Sequence, residues 1–312
     1  MRKFNYKRLL QVIGILLFIY LISLMDFSIL WGHFSKINLP WLLLSILFLP
    51  GVYLLKALRW KLLLQRIGVN YAYKNALLAF TSSNFIAFIT PGRLGELAKS
   101  FYVKADKGIA VAYTLPTVFL DRIFDMYTLL LFALWGILEY AIITEEQFFI
   151  FPIFLIIIIS PLIFLNRRFL YLLARGTRKF PKVEQFILTF ANGIGKFKLK
   201  DLIGAILLTF AAYIFLFLVA QSIGESLQLG FTIIEYAIII SIANILSFLP
   251  ISIAGIGTRE AAFIFLFALK NYAAEVAVLY SVLVFLIFFV VGGFLGYICF
   301  LIKPITLKSI KY

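Results

Sequence analysis

Two stretches of the chain combine an arginine and a glutamate with residues that interrupt an apolar helix. Arg93 and Glu96 follow a Pro-Gly pair, and Arg259 and Glu260 follow a glycine-rich stretch that comes after a second proline. Guanidinium groups bind phosphate and carboxylate oxygens through paired hydrogen bonds. A neighbouring carboxylate can hold the arginine in place or carry a proton. These residue types indicate a binding site for an anionic group.

The first interruption also predicts the start of a half-helix. Pro91 fits the first helical turn, and Thr90 is positioned as its N-cap. A helix that begins at mid-membrane would direct bare N–H groups and the positive end of its dipole at an anion.

A third stretch places charges within a long apolar run. Asp121 and Asp125 are four residues apart and share one helix face, and Arg122 lies three residues before Asp125. One charged residue at the centre of a membrane helix costs roughly 2.5–3.5 kcal/mol, so these charges must pair or face water. One interpretation is a set of closed ion pairs that only lock the bundle. The other is a polar cavity at mid-membrane, where Arg93 and Arg259 meet a phosphate or another anionic headgroup.

Two asparagines precede the interruptions. Asn84 lies before the first and Asn244 before the second. An asparagine amide both donates and accepts hydrogen bonds, so it could satisfy backbone groups freed by the break or contact a ligand. The backbone role is favoured. The candidate binding residues are therefore the two asparagines and the seven charged residues of the three stretches, namely Arg93, Glu96, Asp121, Arg122, Asp125, Arg259 and Glu260.

The composition defines the class of protein that must position these residues. The chain has 312 residues, of which 63% are hydrophobic and 14% charged, with a mean hydropathy of +1.05. This is typical of a polytopic membrane protein. The apolar runs are continuous rather than alternating, which favours an all-α protein over a β-barrel. The formal net charge of +15 is explained by basic cytoplasmic loops, so no nucleic-acid partner is expected.

The apolar runs predict about six spanning helices and two broken segments that enter and leave on one side. The spans are predicted near residues 9–30, 40–64, 110–140, 148–165, 202–223 and 276–302, and the re-entrant segments at 76–98 and 234–269. Eight full spans fit the hydropathy as well. Both arrangements place the two termini in the cytoplasm and the chain in the cell membrane. Basic residues such as Lys56, Arg59 and Lys99 are interpreted as cytoplasmic charges.

The order of the segments indicates one transmembrane domain, residues 1–312, with an internal repeat. Units 40–140 and 201–302 each contain one broken segment, and the two units have opposite orientation. Interrupted apolar segments in corresponding positions of two halves indicate a transport site. Between the units, residues 166–200 are basic and amphipathic. They are predicted to form one or two helices that lie on the cytoplasmic membrane surface. The alternative is a connecting cytoplasmic loop that is basic because of the topology alone.

Catalytic patterns are missing from the sequence. The chain contains one histidine, His33, and one cysteine, Cys299. The sequence shows no metal-binding cluster of Cys and His residues and no phosphate loop of an ATPase. The sequence therefore predicts no enzyme activity, no metal and no cofactor.

The motifs together resemble those of a known family. They are Arg59-Trp60, Pro91-Gly92-Arg93-x-Gly95-Glu96, Asp121-Arg122 with Asp125, and Leu249-Pro250 through Gly255-x-Gly257-x-Arg259-Glu260. The chain resembles, over nearly its whole length, the flippase-like transmembrane domain of lysylphosphatidylglycerol synthases, which also occurs as stand-alone proteins. That family often has Glu-Arg where this chain has Asp121-Arg122, a conservative departure.

The resemblance implies movement of a lipid between leaflets. In the two-domain synthases a C-terminal cytoplasmic domain attaches lysine to phosphatidylglycerol, and this chain is expected to lack that activity. The expected partner is a membrane lipid with an anionic or zwitterionic headgroup. A homodimer is also compatible with the sequence. The alternative function is a membrane-embedded accessory subunit of a glycosyltransferase or lipid-modifying enzyme. An intramembrane transferase is the least favoured, because the sequence offers few nucleophiles or bases.

Overall fold

The fold is built from α-helices. A computed structural model describes residues 20, 23, 26–140, 159, 162–248 and 257–305. All regular elements in these ranges are helical, which confirms the predicted all-α class. Most of the predicted first and fourth spans, and the second interruption with Pro250 and Gly255, lie outside the described residues.

Eleven α-helices and one 3₁₀ helix make up the described part. The helices are α1 Phe27–Phe34, α2 Leu39–Arg66, α3 Tyr73–Ile89, the 3₁₀ helix Pro91–Leu97, α4 Ala98–Lys107, α5 Val111–Glu139, α6 Arg167–Gly176, α7 Pro181–Ile194, α8 Leu199–Ser226, α9 Ile233–Phe248, α10 Thr258–Ala268 and α11 Ala274–Ile302. Residues Leu286–Val291 of α11 are π-helical.

Within the described residues, three helices are long and apolar enough to cross a membrane. They are α2, the part Leu202–Ser226 of α8, and α11. Each has 25 residues or more, and 20 residues are enough to span a hydrocarbon core of about 30 Å. Helix α5 has 29 residues, but it contains four charged residues, of which three lie between positions 121 and 125 and the fourth, Glu139, is its last residue. The helices fit a polytopic membrane protein, and the number of spans stays a prediction.

The first broken segment, α3 with the 3₁₀ helix and α4, forms a hairpin that returns to its starting end. Tyr71, just before α3, donates a hydrogen bond to Asp106 near the end of α4. Lys303 pairs with Asp106, and its Nζ lies 3.2 Å from the Tyr71 hydroxyl. Burial, with Asp106 as acceptor, raises the pKa of Tyr71, so its hydroxyl stays a donor. Both ends of this first hairpin therefore lie beside the end of α11.

The second broken segment, α9 and α10, also returns to its starting end. Glu235 in the first turn of α9 pairs with Lys270, just after α10, at 2.5 Å. At this same end of the bundle, the Lys270 ammonium lies 5.2 Å from the Tyr140 ring centroid. The backbone N–H of Asn38 donates to the carbonyl of Ser226 at 2.8 Å, joining the start of α2 to the end of α8. The first and second hairpins thus start from opposite ends of α2.

The contacts between the two halves are reciprocal. Helix α2 packs antiparallel on α8, the first helix of the other half, and Gly51 meets the Phe215 ring. Helix α3 packs on α11, and α9 packs on α5, where Gly136 meets Ile238. Each hairpin therefore packs its first helix on the last helix of the other half. A two-fold relation between halves produces such a pattern, and it supports the proposed inverted repeat.

Glycines of α11 allow α3 to approach closely. A Cβ added at Gly296 would lie 2.7 Å from the Phe85 Cβ and 2.8 Å from the Thr81 carbonyl oxygen. Gly293 is three residues before Gly296, on the same helix face, and a Cβ added there would lie 3.6 Å from the Phe88 Cδ2. Small residues let membrane helices pack closely against each other. We call this face the glycine seam.

The basic segment 166–200 contains two amphipathic helices, α6 and α7, as predicted. Leu172 and Phe180 are exposed, whereas Leu170 and Ala174 are buried. Helix α7 packs on α5, where a Cβ at Gly193 would lie 2.7 Å from a Pro116 side-chain carbon. The exposed apolar side chains fit contact with a membrane surface, which stays a prediction.

Cysteine labelling tests the opposite orientation of the hairpins. In a Cys299→Ala background, Lys74→Cys and Lys270→Cys each place one thiol at an exposed position, at the base of the first or second hairpin. Loss of the exposed Lys270 pair costs at most about 1 kcal/mol, so both variants are expected to fold. A membrane-impermeant maleimide applied to sealed vesicles is expected to label one variant only, and to label the other after permeabilisation. Labelling of both variants from the same side contradicts the arrangement.

Candidate functional site

Arg59 is the centre of a buried ion-pair network between α2 and α5. Its side chain is 0% exposed. Its Nε donates to Asp121 Oδ1 at 2.8 Å and its Nη1 to Asp125 Oδ1 at 2.9 Å. Nη1 also donates to Thr209 Oγ1 of α8 at 3.0 Å, and Nη2 to the Asp121 carbonyl at 3.1 Å. One guanidinium thus joins three helices, and it confirms that the two aspartates share a helix face.

Two lysines complete the pairing of these aspartates. Lys56 Nζ lies 3.0 Å from Asp125 Oδ2, and Lys99 Nζ lies 2.7 Å from Asp121 Oδ2. Lys99 is 1% exposed, and its ammonium lies 4.5 Å from the Phe80 ring centroid. Each aspartate therefore accepts from two cations.

Glu96 is the acceptor for the remaining cations. Arg93 Nη2 lies 3.5 Å from Glu96 Oε1, as the three-residue spacing predicts. Arg122 Nη2 pairs with the same oxygen, and Lys99 Nζ lies 3.9 Å from Oε2. Spacing along α5 places Arg122 three residues before Asp125. The pair of Arg122 with Glu96 joins α5 to the 3₁₀ helix, and spacing along one helix could not predict it.

The network carries a surplus of positive charge. We call it the charge cluster, and among the described residues it contains five basic and three acidic side chains. They are Lys56, Arg59, Arg93, Lys99 and Arg122, with Glu96, Asp121 and Asp125.

Two arginines of the charge cluster have partly exposed side chains. The side chain of Arg93 is 34% exposed and that of Arg122 is 27% exposed, whereas Arg59 is fully buried. The Nε of Arg93 is buried and has no hydrogen-bond partner. Lys56 and Arg59 lie ten and seven residues before Arg66, the end of α2, which is a depth of about 10–15 Å at 1.5 Å per residue. With Arg66 as the end of a span, this depth corresponds to the middle of a hydrocarbon core of about 30 Å, and we expect the charge cluster to lie there.

The backbone at the first break is internally satisfied. The 3₁₀ helix begins at Pro91 with Thr90 at its N-cap, as predicted. The Thr90 hydroxyl donates to the Ile86 carbonyl at 3.0 Å and accepts from Gly95 N–H at 2.8 Å, and the Arg93 N–H donates to the Thr90 carbonyl at 3.2 Å. The expectation of bare N–H groups is therefore wrong for these two donors. Arg93 has φ 56°, a region costly for a residue with a side chain and often associated with functional sites.

The second break presents a separate arginine. Arg259 Nη2 lies 2.7 Å from Glu260 Oε1, and its Nε donates to Ser281 Oγ at 3.0 Å. Glu260 Oε2 accepts from Gly257 N–H at 2.6 Å, so this carboxylate already caps the start of α10. Arg259 is 5% exposed, and its Nη1 has no hydrogen-bond partner. Two of the three guanidinium nitrogens are thus occupied, and the third is a buried donor.

The contact path between the two arginines runs through aromatic rings. The Cζ of Arg93 lies 5.6 Å from the Phe88 ring centroid, and the Cζ of Arg259 lies 5.7 Å from that of Phe289. The two ring centroids are 4.8 Å apart. The structure therefore brings both predicted arginines to one pair of rings. Their joint contact with a single ligand stays a prediction.

The asparagines lie where the sequence placed them, before the breaks. Asn84 is 8% exposed on α3, and Asn244 is half-buried on α9. Each lies about one turn before the end of its helix. Whether their amides serve the backbone or a ligand stays a prediction.

Sequence reasoning missed three members of the charge cluster. Lys56, Arg59 and Lys99 were interpreted as cytoplasmic charges, but all three pair with carboxylates inside the bundle. A signal was available, because Asp121 and Asp125 on one face require more cations than Arg122 can supply.

Comparison with known proteins agrees with the motifs. The family described as "Lysylphosphatidylglycerol synthase TM region" matches residues 11–296. Among similar proteins, a UPF0104 membrane protein of Methanocaldococcus jannaschii is 24% identical over 322 aligned residues, which cover 96% of each chain. A second UPF0104 membrane protein of that organism is 26% identical over 219 residues, covering 69% of this chain and 94% of that one.

The alignment with a third relative covers a smaller share of both chains. A UPF0104 membrane protein of Archaeoglobus fulgidus is 29% identical over 205 residues, which cover 60% of this chain and 62% of that one. No solved structure matches. Because the family match covers residues 11–296 of 312, this chain belongs to the lysylphosphatidylglycerol synthase TM region family.

Proposed function

We propose that this protein moves a lipid with a phosphate-bearing anionic headgroup between the two leaflets of the membrane. The headgroup phosphate binds at Arg93 and Arg122, and the acyl chains stay in the lipid. The protein then acts as a transporter, with no chemical step.

The surplus charge of the charge cluster carries this proposal. A purely structural ion-pair network would balance its charges, because an uncompensated buried cation is costly. Here five basic side chains face three acidic ones among the described residues. A phosphodiester headgroup carries one negative charge, so its binding would halve this surplus.

The distribution of exposure supports a binding role for Arg93 and Arg122. Arg59 and Lys99 are closed in by Asp121 and Asp125, so they hold α2, α4 and α5 together. Arg93 makes a longer contact with Glu96, 3.5 Å, and keeps a third of its side chain exposed. A guanidinium held loosely by a carboxylate can exchange it for a phosphate oxygen. Glu96 then serves as the internal substitute for the headgroup in the empty protein.

Reconstitution tests the proposal. The purified chain is placed in liposomes with fluorescent phosphatidylglycerol. A membrane-impermeant reagent quenches the labelled lipid in the outer leaflet, and the rate at which the remaining fluorescence is lost measures transfer from the inner leaflet. Arg93→Gln is expected to slow transfer by about 10- to 100-fold, since a charge-assisted hydrogen bond contributes about 1.5–3 kcal/mol. Arg175→Gln, an exposed substitution on α6, is the matched control and is expected to leave the rate unchanged.

Two results contradict the proposal. Equal transfer by the Arg93→Gln and Arg175→Gln proteins would remove the binding role of Arg93. Absence of transfer for all tested lipids, together with co-purification of a glycosyltransferase or lipid-modifying enzyme, would favour the accessory-subunit function.

A further inference from the structure

Phe88 and Phe289 lie where the first hairpin meets the last helix of the other half. Phe88 is the penultimate residue of α3, and its Cδ2 lies 3.6 Å from a Cβ built at Gly293 of α11. Its ring contacts that of Phe289 with an interplanar angle of 37°. The pair is therefore formed by two elements that pack directly but belong to different halves.

Two aromatic rings of α11 lie beside Arg259, where the π-helical segment begins. Phe285 and Phe289 stack with centroids 5.2 Å apart and an interplanar angle of 17°. Both rings lie near the Arg259 Cζ, at 5.5 and 5.7 Å. A π-helical turn is rare and is often found at functional sites. Here it begins directly after Phe285 and contains Phe289, so that both rings lie beside one guanidinium, next to the contact with Phe88.

Each arginine beside this ring pair has an unused buried donor. Arg93 Nε and Arg259 Nη1 are buried without hydrogen-bond partners. Buried polar groups are normally hydrogen-bonded, so these two N–H groups lack an acceptor that a ligand can supply. The acceptors needed on the two sides are of the same chemical type, an anionic oxygen.

We propose that Phe88 and Phe289 form a gate between two half-sites for one phosphate group, with Arg93 in the first half-site and Arg259 in the second. In the structure the gate is closed, and each guanidinium rests on its own ring. A headgroup passes from Arg93 to Arg259 when the two rings separate, and the guanidiniums then exchange the ring faces for phosphate oxygens. This inference rests on the proposed function, because it describes the path of the same headgroup.

A reversible cross-link tests the gate. Phe88→Cys and Phe289→Cys are combined in a Cys299→Ala background and joined by a short thiol-reactive linker that a reductant cleaves. The cross-linked protein is expected to transfer fluorescent phosphatidylglycerol at least tenfold more slowly than the same sample after reduction. Recovery on reduction shows that the protein remained folded throughout.

A second cross-link is the matched control. Phe132 and Phe217 also contact ring to ring, at 4.7 Å, but they join α5 to α8 away from the two arginines. Phe132→Cys with Phe217→Cys is expected to leave transfer unchanged when cross-linked. Equal inhibition by both cross-links would overturn a specific gate.

The remaining outcomes are also decisive. If the Phe88–Phe289 cross-link forms and transfer is as fast as after reduction, the gate is overturned while the proposed function stands. If the two cysteines do not cross-link, the contact between the rings is contradicted. If the reduced protein and the unmodified chain both fail to transfer lipid, the proposed function fails and the gate with it.

Discussion

Replacing Arg59 with methionine is expected to lower the free energy of unfolding by about 3–5 kcal/mol, because it leaves buried charges without a partner. Arg59 makes four hydrogen bonds from a side chain that is 0% exposed. Methionine fills similar space but donates none of them. Asp121 keeps Lys99 and Asp125 keeps Lys56, so the carboxylates stay charged and incompletely paired.

The measurement is denaturant unfolding in mixed micelles, followed by tryptophan fluorescence. Arg59→Lys retains the charge but loses the planar guanidinium with its several N–H donors. Its loss of stability is expected to lie between those of the unmodified chain and Arg59→Met. Arg175→Met on the exposed side of α6 is the control, with an expected change within about 0.5 kcal/mol. A loss below about 1 kcal/mol for Arg59→Met would show that the network contributes little, since buried ion pairs broken on one side normally cost more.

Replacing Gly95 with alanine is expected to have the second-largest effect. The added Cβ would lie 2.6 Å from the Ile86 carbonyl oxygen and closer still to the Ala87 nitrogen. Both are backbone atoms, so no rotamer change can relieve the contact. Overpacking of this kind typically costs about 1–3 kcal/mol, and occasionally more. The 3₁₀ helix must shift away from α3, and Arg93 and Glu96 shift with it.

The variant therefore tests stability and function together. Gly95→Ala is expected to unfold at lower denaturant concentration and to transfer labelled lipid more slowly than the unmodified chain. Gly176→Ala adds the same methyl group where no atom lies within 4 Å, and it is expected to behave as the unmodified chain. If Gly95→Ala has the stability and the transfer rate of the unmodified chain, the expectation is contradicted. The 3₁₀ helix would then tolerate a wider separation from α3.

Local patterns in the sequence predicted the local features of the site. Pro91 begins the 3₁₀ helix, Arg93 pairs with Glu96 three residues later, and Asp121 and Asp125 share a face. These are consequences of spacing along one helix, which needs no knowledge of its neighbours. The all-α class followed from the continuous apolar runs for the same reason.

The partners of these residues depend on packing between distant segments. Arg59 reads in the sequence as a cytoplasmic charge near a helix end, and only the packing of α2 on α5 and α8 gives it Asp121 and Thr209 as partners. The pair Phe88 and Phe289 is equally hidden, since 35 phenylalanines offer many combinations. The two aspartates of α5 indicate that further cations lie nearby, but a single sequence does not identify which residues supply them, and it contains no direct signal for the ring pair.

The glycine seam of α11 has a mechanical consequence. Side chains on packed helices interlock as ridges and grooves, and sliding one helix along another requires the ridges to climb over each other. Where Gly293 and Gly296 face α3, α11 contributes no side chains to such ridges. Fewer side chains must therefore be displaced when the first hairpin moves lengthwise against α11 by small shear displacements, and such a movement would carry Phe88 past its partner ring.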